Sequence, residues 1–189
     1  MQPEETRVRD EIRRVGQRTA FHQLIAENDA QIRGPELGNG RLIASGRTAL
    51  YTELVGDWAG EQQRAFGYDK PFAVVALGGT GRAEMSPCSD NDFAFLFEYA
   101  LEGNAFLLEL QRQVLHSGDF ENRCGFACHA LPFCLDDVPN LHGKQLNSFL
   151  DMRMVYDPHG LTDRFRERIR GTFDSFEHFL HVRSFWKDQ

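Results

Sequence analysis

Residues 72–97 read FAVVALGGTGRAEMSPCSDNDFAFLF, two apolar runs separated by a glycine-rich and acidic connection. The first run, Phe72 to Leu77, ends on Gly78, Gly79 and Gly81, the sequence form of a buried strand entering a tight turn. Glycine there lets backbone amides approach a phosphate, because no Cβ stands in the way and positive φ costs little. The second run, Phe93 to Phe97, follows Asp90-Asn91-Asp92. Residues two apart in a strand point to the same face, so Asp90 and Asp92 are expected to set two carboxylates side by side at the strand's start. Carboxylates that close repel unless a cation sits between them, and hard oxygen ligands with a phosphate partner suit Mg²⁺. The stretch reads as a nucleotide and metal site. Taken singly, a G-G-x-G is an ordinary turn and a D-x-D an ordinary solvated strand end.

In order, Gly78-Gly79, Gly81, Arg82, Glu84, Pro87, Ser89, Asp90 and Asp92 trace G-G-x-G-R-x-E-x-x-P-x-S-D-x-D. This pattern resembles the DNA polymerase beta-like nucleotidyltransferases, and within them the PII-protein uridylyltransferases and the nucleotidyltransferases that accompany CBS domains. The resemblance implies an α+β fold: a mixed sheet with flanking helices and helical segments at both ends of the chain. It also implies transfer of a nucleoside monophosphate from an NTP to an acceptor hydroxyl on a protein or small molecule, with release of pyrophosphate and dependence on Mg²⁺ or Mn²⁺. Carried over by position, Asp90 and Asp92 are the catalytic metal ligands. Gly78, Gly79 and Ser89 cradle the phosphates with Gly81 beside them, and Arg82 partners Glu84 or the phosphates.

A second likeness is SFLDMRMVYD, residues 148–157, similar to the LDARLL-GD helix that follows the catalytic sheet in those relatives. On it, Arg153 is the candidate for reaching the triphosphate. The family's third carboxylate, expected on the following strand, has no counterpart inside Cys124–Leu131. Asp119 and Glu121 precede that run, and Asp136 and Asp137 follow it. His129 is a candidate base or ligand in compensation, against the commoner reading of a satisfied structural histidine. The missing acid, and Asn91 where relatives prefer an apolar residue, leave open an inactive nucleotidyltransferase-fold module that binds nucleotide or a protein partner. Adenylylation of the antibiotic-modifying kind shares the glycines and aspartates but lacks the G-R-x-E-x-x-P segment.

The 189 residues suit one domain with helical appendages, divided here into an N-terminal helical segment 1–68, a core 69–138 and a C-terminal helical segment 139–189. Apolar and charged fractions of 41% and 26% are those of ordinary globular chains, and sixteen phenylalanines against four tyrosines predict a Phe-rich interior. A net charge of -7 argues against nucleic acid as the main partner, since phosphate backbones demand clustered Lys and Arg. No apolar run approaches the roughly 20 residues of a membrane helix, and the N-terminal MQPEETRVRDEIRR lacks a signal peptide's apolar core. The expectation is a cytoplasmic protein with no membrane partner. Cys88, Cys124, Cys128 and Cys134 form no C-x-x-C pair, which favours buried free thiols over a zinc site of Cys124, Cys128, His129 and Cys134.

Val8, Ile12, Val15, Ala20, Leu24 and Ile25 recur at helical spacing and predict one or two helices between Glu4 and Ile32. A loop over Gly34–Gly40 precedes a helix from Arg41 to Phe66 that buries Leu42, Leu50, Leu54 and Trp58. Asn104–Ser117 is a helix with Phe106, Leu107, Leu110 and Val114 on one face, and Cys124–Leu131 is a third strand. From Leu141 the chain reads helical, with Leu146, Phe149, Leu150 and Met154 buried and Asp151 and Arg153 facing apart. Leu161–Arg170 is a basic helix whose arginines are solvated charge rather than a phosphate stripe, and Phe173–Trp186 an aromatic one. The hydrolase and ligand-sensing domains that follow in uridylyltransferases have no counterpart in this sequence. It is expected to be either a free-standing enzyme or a piece excised from a larger multidomain protein.

Overall fold

A computed structural model describes residues 3–34, 39–87, 90–116 and 118–173. The chain begins with three helices, α1 (Pro3–Val15), α2 (Gln17–Arg33) and α3 (Gly40–Phe66). Strand β1 (Phe72–Ala76), a single helical turn α4 (Gly78–Gly81) and strand β2 (Asp92–Phe97) follow. Then come α5 (Ala105–Gln111), a π-helical turn over Arg112–His116, α6 (Asp119–Cys124) and β3 (His129–Cys134). A 3₁₀ helix over Leu135–Asn140 leads into α7 (Gly143–Leu150), β4 (Arg153–Tyr156) and α8 (Leu161–Thr172).

The four strands form one mixed sheet in the order β3-β2-β1-β4, so the fold is α+β with helices on both faces. β1 pairs antiparallel with β2, Phe72 opposite Phe97, and antiparallel with β4 on its other side. β3 runs parallel to β2, with Asp92 opposite His129. A parallel neighbour cannot be reached by a hairpin, which is why α5 and α6 intervene as a crossover.

Strand side chains alternate between faces, so the sheet has two cores. Phe72, Val74, Ala76, Phe93, Phe95 and Phe97 point to one face, closed by Leu24 of α2, Leu50, Leu54 and Trp58 of α3, Phe106 of α5 and Phe120 of α6. Trp58 lies near-parallel to Phe95 at 6.2 Å and edge-on to Phe120 at 4.9 Å. Ala73, Val75, Leu77, Ala94 and Leu96 point to the other face, against Phe149 of α7 and Leu161, Phe165 and Ile169 of α8. Each buried phenylalanine contributes about 1.5–3 kcal/mol.

Polar staples fix the helical layer. Arg47 of α3, with 5% of its side chain exposed, donates to Asn28 of α2 at 3.0 Å and pairs with Asp29. Arg9 of α1 pairs with Glu53 of α3. Gly56 and Gly60 let α3 lie against β4, since a Cβ on either would stand 3.0 Å from Val155 or Tyr156 atoms.

Several expectations need correction. Leu42 is 72% exposed, because the buried positions of α3 begin only at Arg47. The third strand is His129–Cys134 rather than Cys124–Leu131: α6 takes Cys124, and Gly125, at φ 90°, ends that helix. Pro132 is tolerated within β3 because the strand lies at the sheet's edge. The helix expected through residue 157 stops at Leu150, and 153–156 pair with β1 as a strand inside the segment expected to be helical. Leu150 and Met154 are accordingly 48% and 55% exposed. Residues 35–38 of the expected loop, and all but Phe173 of the last helix, lie outside the described residues. Among the described residues no helix is long and apolar enough to cross a membrane.

Candidate functional site

The site is built where β1 ends and β2 begins. Leu77 donates its amide to the Asp92 carbonyl at 2.9 Å, so the two strands stay joined up to the turn. The turn closes on itself through Gly81 N–H to the Leu77 carbonyl at 2.9 Å and Glu84 N–H to the Gly79 carbonyl at 2.9 Å. Gly78 sits at φ 55°, a left-handed conformation that favours glycine.

The three glycines are glycine for different reasons. A Cβ on Gly78 would have the Asp92 Oδ2 as its nearest neighbour at 3.8 Å, and one on Gly79 would meet only the Glu84 carbonyl at 3.9 Å. Among the described residues both therefore leave the turn's surface uncrowded, with the Asp92 carboxylate beside Gly78. At Gly81 a Cβ would stand 2.4 Å from the Asp151 carbonyl oxygen and 2.9 Å from that of Ala76. Backbone packing alone requires glycine there.

Asp92 opens β2 and Asp90 lies just before it; both are exposed. Among the described residues neither carboxylate is engaged in an ion pair. Asn91 between them donates Nδ2–H to the Ala127 carbonyl at 3.2 Å, and its own carbonyl accepts from His129 N–H at 3.2 Å. A polar residue at this position ties the aspartates to the approach of β3. Ser89 lies outside the described residues.

No acid stands opposite Asp92 on β3; His129 does. Residues in register on parallel strands share a face, so the imidazole and the carboxylate project to the same side. His129 is exposed and its ring makes no hydrogen bond among the described residues, which does not fit a satisfied structural histidine. Asp137 is occupied in capping, accepting from Cys134 N–H at 2.6 Å, and Asp119 pairs with Arg112 at 3.3 Å.

Arg82 donates Nε–H to Glu84 and Nη1–H to Asp151, both at 2.8 Å. Arg153, the first residue of β4, donates Nε–H to the Gly81 carbonyl at 3.2 Å. Asp151 and Arg153 thus both reach the glycine turn, contrary to the expectation that they face apart: Asp151 caps α7 and Arg153 is already in a strand. That return of the chain left no local signal beyond the β-favouring Val155-Tyr156 pair. Arg164 and Arg166 are paired with Glu98 and Asp163, as scattered surface charge.

Among the described residues no three His, Cys, Asp or Glu are arranged to hold a metal ion. Cys124, Cys128 and Cys134 are free and buried, and burial pushes the Cys128 thiol up to about 12. Cys88 lies outside the described residues. A cavity of 690 Å³ lies among α1, α2 and α3, lined by Val8, Leu24, Leu42 and Leu50, and involves none of the turn or the aspartates.

No protein-family profile matches the chain. It is similar to the bifunctional uridylyltransferase/uridylyl-removing enzyme of Thiobacillus denitrificans (strain ATCC 25259 / T1), 29% identical over 136 residues that cover 69% of this chain. The match spans 15% of that much longer protein's length. The similarity supports a nucleotidyltransferase relationship and, in general terms, a nucleotidyltransferase-type function.

Proposed function

We propose that the chain is a metal-dependent nucleotidyltransferase of the DNA polymerase beta-like kind, similar in design to the PII-protein uridylyltransferases, moving a nucleoside monophosphate from an NTP to an acceptor hydroxyl. The observation that carries this is the Asp92 carboxylate, exposed and lying 3.8 Å from the Cβ position of Gly78 on the left-handed turn. Among the described residues nothing lies closer than 3.8 Å to a Cβ position on Gly78 or Gly79, which leaves room for their backbone amides to meet polyphosphate oxygens. Asp90 and Asp92 are the residues that would hold Mg²⁺ or Mn²⁺. Two exposed hard-oxygen donors without a competing cation fit such an ion, since Mg²⁺ is commonly held by one or two carboxylates together with substrate phosphates. The ion would supply charge neutralisation for the departing pyrophosphate and would acidify the acceptor hydroxyl.

His129 stands opposite Asp92 on the strand where a third acid is expected, and projects to the same side as that carboxylate. Such chemistry rests on positioning and electrostatics rather than on many reacting groups. A net charge of -7 supports a protein or small-molecule acceptor over nucleic acid.

A second reading, a module that binds nucleotide or a protein partner without turnover, is favoured by the absence of any acid opposite Asp92. Calorimetry with each NTP, with and without Mg²⁺, followed by assay of released pyrophosphate across candidate acceptors, separates the two. Asp92→Asn is expected to abolish turnover while leaving the melting temperature intact. A variant that transfers nucleotide at the parent rate would overturn the assignment.

A further inference from the structure

The two sides of the glycine turn differ in kind. Among the described residues Gly78 has only the Asp92 carboxylate, and Gly79 only the Glu84 carbonyl, within 4 Å of its Cβ position, whereas Gly81 is pressed against the backbone of Asp151, the residue joining α7 to β4. Two arginine side chains cross that contact in opposite directions. Arg82 leaves the turn and reaches the Asp151 carboxylate at 2.8 Å; Arg153 leaves the α7–β4 connection and reaches the Gly81 carbonyl at 3.2 Å. The other edge of the Arg82 guanidinium holds Glu84, whose own amide closes the turn on the Gly79 carbonyl. The guanidinium is therefore gripped by one acid from within the turn's own loop and by another 69 residues along the chain.

Stability does not account for this arrangement. The side chains of Arg82 and Asp151 are 47% and 41% exposed, and ion pairs so open to solvent contribute little to folding. Placement does account for it: a loop already held in its binding conformation loses less freedom when a ligand arrives. We propose, resting on the nucleotidyltransferase reading, that Asp151 is a positioning residue for nucleotide binding, acting through Arg82 to hold the turn so that Gly78 and Gly79 present their amides beside Asp92.

The test is calorimetry of each NTP with Mg²⁺ on the full chain and on Asp151→Asn, Asp151→Glu, Arg82→Gln and the double variant Asp151→Asn/Arg82→Gln, with a melting curve for each. Asp151→Asn is expected to weaken the best-bound nucleotide about tenfold, the scale on which outer positioning partners act. Its melting temperature should stay within about 2 °C of the parent, as befits an exposed pair. Because Asp151 acts through Arg82, its loss should matter less than about twofold when Arg82 is already glutamine. Asp151→Glu, which keeps the charge, should recover most of the affinity. Undiminished binding by Asp151→Asn would overturn the proposal, as would a loss that is the same in both backgrounds and tracks a lowered melting temperature. Failure of the parent chain to bind any NTP would instead sink the nucleotidyltransferase reading, and this proposal with it.

Discussion

Gly81→Ala places a methyl group where two backbone carbonyls already stand. The added Cβ would sit 2.4 Å from the Asp151 oxygen and 2.9 Å from the Ala76 oxygen, against a floor of 3.0 Å that real Cβ atoms essentially never breach. Neither obstacle can swing aside. Ala76 is the last residue of a central strand, bonded on both sides, and Asp151 is tied to the turn by the Arg82 and Arg153 side chains. Relief must come from a backbone shift, the overpacking case, which costs about 2–3 kcal/mol. For a domain of this size that lowers the melting temperature by about 4–12 °C. Gly79→Ala is the matched control, because among the described residues its Cβ meets nothing nearer than 3.9 Å and its φ is not positive. It should melt within about 2 °C of the parent, alanine being the better helix former, yet its methyl stands on the open surface and should weaken NTP binding. Scanning calorimetry gives the first comparison and titration calorimetry the second. A Gly81→Ala protein melting with the parent, or a Gly79→Ala protein equally destabilised, would refute the division of roles among the glycines.

Arg47→Ala removes a buried guanidinium that Asn28 and Asp29 both accept from, and should cost about 2–3 kcal/mol in urea unfolding; Arg47→Met, which keeps the apolar stem, should recover part of it. The buried thiols give stability a pH dependence. Burial raises the Cys128 thiol from 9.0 to about 12 and raises Cys124 as well, so the native state favours the protonated form. The associated stability is complete below the unfolded value of 9.0 and is lost as pH rises toward 12, with a slope of up to about 1.4 kcal/mol per pH unit for each thiol. Urea midpoints at pH 7.5, 9 and 10.5 measure it, and peptide mapping after alkylation of the native protein at pH 8 should find both cysteines unlabelled. Rapid labelling of either would show that its burial is wrong.

The β1–turn–β2 unit is legible in the sequence because its signals are local: strands apolar on both faces, glycine between them, and an aspartate whose register with the turn follows from a short connection. The helical character of the N-terminal segment shows in its spacing, though not whether Glu4–Ile32 holds one helix or two, nor where the buried stretch of α3 begins. β3 does not, because Gly125 looks like the interior of an apolar run until it is seen to cap α6, and Pro132 argues against a strand anywhere but an edge. β4 is only four residues long, and Met154 fits the helical spacing of Leu146 and Leu150; only pairing with β1 decides it. The candidate site divides along the same line. Gly78 beside Asp92 is readable from neighbouring residues, whereas His129 opposite Asp92 and Asp151 against Gly81 are products of topology, which no pattern within one stretch records.

Pro132 has a consequence for how this protein behaves among its own copies. His129 turns its amide inward to Asn91, so by alternation Ala130, Pro132 and Cys134 turn theirs to the sheet's outer border. Proline has no hydrogen to offer, and the Cys134 amide is already held by Asp137 at 2.6 Å. An invading strand would find a single amide, that of Ala130, along the whole margin, too few to template growth. The β3 border is thereby protected against sheet-to-sheet polymerisation.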